Sequence, residues 1–136
     1  MNRARAAEIT YLLLRVVAGF LFIQSGALIL FGWYGGMPGM PSPPPFPSQM
    51  WFGGVFEFFG GILILLGLFT RPAAFLLSGT MAVAYWQFHY ATQGGWPLQN
   101  NGVAAAIFCF VFLYMAAQGG GEYSLDAVMG RRRARR

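Results

Sequence analysis

Charge is the scarcest thing in this sequence. Only 10% of its 136 residues are Asp, Glu, Lys or Arg, against about 25% in an ordinary soluble domain. With 57% of residues hydrophobic, the chain lacks the polar surface that a soluble globular fold needs. Lysine is absent, so all nine basic residues are arginines. Cysteine occurs once, at Cys109, which excludes an intrachain disulfide or a dithiol pair; a lone cysteine in an apolar run acts as a small packing residue. Histidine also occurs once, at His89, so a single chain cannot supply bis-histidine haem ligation. No metal-ligand spacing, phosphate loop or nucleophile–base pair is present. No metal is expected, and no cofactor unless it is a quinone.

Long apolar runs are what the chain does have. Four of them, at about 9–32, 51–69, 72–92 and 102–118, approach or exceed the length needed to cross a bilayer. The expected fold is all-α: one transmembrane domain over residues 1–136, built as an integral membrane four-helix bundle. Arg3 and Arg5 precede the first run, Arg71 follows the second, and Arg131, Arg132, Arg133, Arg135 and Arg136 end the chain. The connections 33–50 and 93–101 carry no charge at all. The positive-inside rule then places both termini and the Thr70-Arg71-Pro72 turn in the cytoplasm, an N-in/C-in arrangement. The first run exceeds the h-region of a signal peptide and contains Arg15, so it reads as a retained helix.

The connection 33–50 holds six prolines and no charge, which predicts neither helix nor strand. It reads either as a stiff strap on the outer interface or as a plain connector. Trp33, Tyr34, Trp51 and Trp96 fall at the outer interface, and Tyr11, Tyr114 and Tyr123 near the inner one. The basic tail 127–136 suits an anionic lipid surface, which makes the bilayer the expected partner and leaves no need for nucleic acid. Two stripes predict close helix packing: Gly53, Gly60 and Gly67 at seven-residue spacing, and Arg15, Gly19, Phe22 and Gly26 along one line of the first helix.

Glu57 is the only charge in the run 51–69. A carboxylate at the centre of a spanning helix costs roughly 2.5–3.5 kcal/mol on insertion scales, so such a residue is expected to meet a partner, a cavity or a proton. Counting from helix ends puts Gln24, Glu57, Tyr85, His89 and Asn101 at compatible depths in the outer half of the membrane, and they form the candidate ligand-binding set. Arg15 falls on the inner side, where it is expected to snorkel or to pair with Glu8 or a carbonyl. Glu57 and His89 together could exchange protons or hydrogen-bond the carbonyls of a quinone held by the neighbouring aromatic rings. The competing reading is a Glu–His or Glu–Tyr hydrogen bond that only fixes helix register.

These residues resemble the DoxX family of small four-helix membrane proteins. The resemblance rests on Leu14-Arg15-Val16 with Gly19, Phe22 and Gly26; on Glu57 with Gly60-Gly61; and on Gly67-Leu68-Phe69-Thr70-Arg71. It continues through His89, Pro97, Asn100-Asn101-Gly102 and the closing run from Gly119 to Asp126. It implies a bacterial inner-membrane protein linked to redox chemistry, as in thiosulfate–quinone electron transfer or complexes with soluble oxidoreductases. Family chains often carry a glutamate just after the Asn-Gly pair, where this chain has Val103, so a second membrane carboxylate is lacking. Three roles follow: a redox-linked protein with a quinone-type site, a non-catalytic subunit of a homo-oligomer or larger membrane complex, or a transporter. No inverted repeat or broken-helix pair of the kind many transporters use is visible.

Overall fold

The computed structural model describes residues 2–134, and all regular structure among them is helical. α1 spans Arg3–Phe31, a 3-10 turn spans Trp33–Gly35, and α2 spans Gln49–Leu66. α3 (Thr70–Val83) runs on through a π-helical segment, Ala84–Tyr90, into the short α4, Ala91–Gln93. The joints at Ala84 and Ala91 keep right-handed helical torsions, so 70–93 is one continuous rod. α5 (Val103–Gln118) and α6 (Leu125–Ala134) complete the chain. α1 and α2 are long and apolar enough to cross a membrane, and α5 is a shorter apolar helix.

Capping chemistry, which hydropathy does not report, moves the helix ends. α1 was expected from residue 9 but starts at Arg3, because the Asn2 side chain accepts from Arg5 N at 2.9 Å. Ser48 caps α2 by accepting from Trp51 N at 3.2 Å, which draws Gln49 and Met50 into the helix. α2 then stops at Leu66 and not at 69, since Gly67 turns left-handed and the 67 and 68 amides bond back to Ile64 and Leu63. The connection 33–50, expected to hold no helix, contains the 3-10 turn at Trp33–Gly35. The stretch 127–136, expected as a basic tail, lies largely in α6, with Arg131, Arg132 and Arg133 in its last turn. Arg135 and Arg136 lie outside the described residues.

Glycines set the spacing between helices, but not along the expected stripe. A Cβ on Gly61 would lie 2.7 Å from Ile23 N, and one on Gly19 would lie 2.6 Å from Leu65 N; Gly26 is pressed against Phe58. Gly54 and Gly61 therefore face α1. Gly60, one residue and about 100° round the helix, faces α3 instead, where a Cβ would meet Leu77 at 3.0 Å. Gly53 meets nothing within 4 Å, and Gly67 is a turn residue. The seven-residue stripe is thus not a single seam. α3 packs on α5, with the Ser78 hydroxyl donating to the Cys109 carbonyl at 2.7 Å. Phe22, Ile64, Leu77, Phe112 and Met115 fill the centre, and the Phe22 and Phe112 rings meet edge-to-face at 4.6 Å.

The segment 119–126 clasps the first turns of α1 and the start of α3. The Tyr11 hydroxyl donates to Gly119 O, and the Glu8 carboxylate accepts from Glu122 N at 3.0 Å. Asp126 accepts from the Phe69 and Thr70 amides at 2.8 and 2.9 Å, capping α3, whose own N-cap side chain makes no such bond. Arg15 is 2% exposed and donates to Tyr123 O at 2.7 Å. Of the fates expected for Arg15, a carbonyl partner is the one found. It does not snorkel, because the clasp closes over it.

Candidate functional site

Toward the opposite end, where the 33–50 and 94–101 connections lie, the helices line a partly open cavity of about 810 Å³. That is within the usual range for small-molecule sites. Its walls are mainly aliphatic and aromatic, with Phe52, Phe56, Phe88 and Phe108 among them, and its polar residues include Ser25, Glu57, Thr80 and His89.

Glu57 follows from its helix. It is 7% exposed, between the Gly54 and Gly61 approach to α1 and the Gly60 approach to α3, and it lines the cavity. Ser25 on α1 lines the cavity with it. Glu57 Oε2 is buried without a partner. A buried carboxyl oxygen left unpaired is costly, and here the open space beside it is the cavity.

His89 lines the same cavity from the π segment. Its Nδ1 lies 3.0 Å from Asn100 O. A carbonyl only accepts, so Nδ1 carries a proton in this contact, and in the neutral form of the ring the lone pair falls on Nε2. Asn100 is the residue that holds this end together. It is fully buried, donates through Nδ2 to Gly94 O at 3.1 Å and accepts at Oδ1 from Gly102 N at 2.9 Å.

The other expected residues go elsewhere. Gln24 donates to the Tyr34 hydroxyl at 3.0 Å and is not in the cavity wall. Tyr85 packs against Gly102, also outside the wall. Asn101 is exposed with φ 56, a left-handed position that asparagine tolerates better than most residues. The structure therefore brings Glu57 and His89 into one cavity and keeps Gln24, Tyr85 and Asn101 out of it. Ser25 and Asn100 were missed. A sequence reading sees two adjacent asparagines and cannot tell which takes the turn and which folds inward. Among the described residues, no group of three or more His, Cys, Asp or Glu is placed to hold a metal.

The helical fold, its apolar spans and this cavity describe a small all-helical membrane protein. The chain belongs to the DoxX family, whose profile matches residues 10–90, a stretch that includes Ser25, Glu57 and His89. It is 38% identical over 115 residues to an uncharacterized protein of Haemophilus influenzae, covering 83% of this chain and 85% of that one. No solved structure matches it.

Proposed function

We propose that this protein is a multi-pass, four-helix protein of the bacterial inner membrane with both termini cytoplasmic, and that its cavity binds a quinone or a similar ring with hydrogen-bonding oxygens in a redox-linked role. The observation that carries the reading is Glu57: a buried carboxyl with an unpartnered oxygen, opening on an aromatic-walled cavity that also holds His89. A protonated Glu57 can donate to a ring carbonyl. An ionised Glu57, or His89 through Nε2, can accept from the hydroxyl of a reduced ring. Asn100 fixes the histidine tautomer that leaves Nε2 free for this.

The alternative role, an accessory subunit docking through its glycine seams, has less surface to use. Gly19, Gly26, Gly54, Gly60 and Gly61 are all covered within the chain itself.

The test is quinone retention by the protein purified in mild detergent. Wild type is expected to retain extractable quinone, and Glu57→Gln and His89→Ala are expected to lose most of it. Glu57→Gln removes a buried charge-bearing group and keeps its volume, so its Tm should equal or exceed that of wild type. Lost binding in that variant would then not reflect unfolding. Retention at the wild-type level in both variants would end the quinone reading.

A further inference from the structure

We propose that the cavity is entered sideways from the bilayer, and that a long apolar chain on its ligand lies in the cleft between α2 and α3. This rests on the reading of the cavity as a ligand site, but on different residues from those that bind the ring.

Gly53 and Gly60 are seven residues apart on α2, which puts them two turns apart on one face. At Gly60 the two helices touch, since a Cβ there would meet Leu77 at 3.0 Å. At Gly53 the same face meets nothing within 4 Å, and Gly79 on the α3 wall is equally open. The helices thus touch at Gly60–Leu77 and part beyond it into a cleft with a glycine on each wall. Both glycines line the cavity that holds Glu57 and His89, so cleft and polar site are one continuous space.

The rim of that cleft is apolar and open to the side. Phe75 is 69% exposed and Phe52 41%, and both line the cavity. Glu57 is nine residues from Leu66, and Phe75 is five from Thr70 across the short turn. The Gly60–Leu77 contact closes the cleft toward that turn, so the open space lies on the Gly53 side of it, with Phe75 on the outer rim. A single ring beside Glu57 fills only part of the space, and a chain accounts for the rest.

The lateral opening also has an energetic reason. Pulling a lipid chain out of the bilayer into water costs free energy for every CH₂ exposed. A ligand that enters through this cleft keeps its chain among lipid and protein side chains and meets no such cost.

The experiment measures binding to the protein in lipid nanodiscs with three probes: a benzoquinone bearing a long isoprenoid chain, the same ring without the chain, and a long-chain isoprenoid alcohol without the ring. Gly53→Phe and Gly79→Phe fill the cleft from opposite walls, and neither Cβ has a neighbour to strike. Each is expected to weaken both chain-bearing probes by about tenfold or more, as packed contacts along the chain are lost, and to weaken the chainless ring several-fold less. Glu57→Gln should weaken both ring-bearing probes and spare the alcohol. If the alcohol binds and is displaced by the glycine variants while neither ring-bearing probe depends on Glu57, the quinone reading falls and the cleft stands. If neither chain-bearing probe binds wild type, or both bind the two glycine variants as tightly as wild type, the cleft proposal is overturned.

Discussion

Asn100 shows how much of the site depends on a residue that never faces the ligand. Its side chain satisfies one carbonyl and one amide in a connection that is otherwise glycine, proline and turn, and its own carbonyl receives the His89 ring. Replacing it with alanine leaves Gly94 O without its side-chain donor and Gly102 N with only its bond to Pro97 O. The expected loss is about 1–3 kcal/mol, from one to two hydrogen bonds plus the partial desolvation of the one carbonyl left behind. Thermal denaturation in detergent should show this as a clear fall in Tm, and ligand binding should weaken with it, since the connection that presents the Asn100 carbonyl to the imidazole loses its side-chain ties. An unchanged Tm with unchanged binding would show that the buried asparagine does not organise the site. At this scale the sequence was only half legible. Glu57 announces itself as the sole charge in a long apolar run, and His89 as the sole histidine. The inward turn of Asn100 over Asn101 depends on backbone torsions that composition does not encode, and so does the diversion of Gln24 to Tyr34.

Helical elements were visible as apolar runs because burial in lipid or protein removes polar residues from every face of such a helix. Which glycine faces which neighbour was not visible. Gly60 and Gly61 differ by one residue, yet one meets α3 and the other α1. The π segment Ala84–Tyr90 was equally hidden, as no residue type marks it, and it carries His89. α6 was overlooked because its arginines read as a tail, while the clasp that precedes it depends on Tyr11, Arg15 and Asp126 each reaching a backbone partner more than fifty residues away in the chain. The glycine assignments lead to a contrast within one helix. Gly61→Leu would drive a side chain into the α1 backbone, where even a Cβ lies 2.7 Å from Ile23 N. It should abolish stable monodisperse protein. Gly53→Ala, two turns away, has open space around it and replaces a poor helix former, so it should gain about 0.5–1 kcal/mol. Size-exclusion profiles and Tm values of the two variants decide this. Equal tolerance at both positions would mean that α1 and α2 are not in the close contact described.

For the whole molecule, the distribution of arginine is the strongest constraint. Arg3, Arg5, Arg71 and Arg131–Arg133 belong to the end that carries the clasp, where Arg71 also donates to Ala117 O at 2.7 Å. The strap and the 94–101 connection at the other end have no charged residue. Such a polarised molecule should insert one way only, with the arginine end on the cytoplasmic side. The single cysteine makes this directly measurable. Cys109→Ala should be tolerated, because the Ser78 hydroxyl donates to the Cys109 backbone carbonyl, which the substitution keeps. In that background Ser42→Cys places a thiol on the exposed strap, and Gly130→Cys places one on an exposed face of α6 with no neighbour within 4 Å. A membrane-impermeant maleimide applied to spheroplasts should label the Ser42→Cys protein at once and the Gly130→Cys protein only after lysis. The reverse pattern would invert the topology. It would also turn the His89 side of the cavity toward the cytoplasm, because His89 lies just before the 94–101 connection while Glu57 sits at the middle of α2.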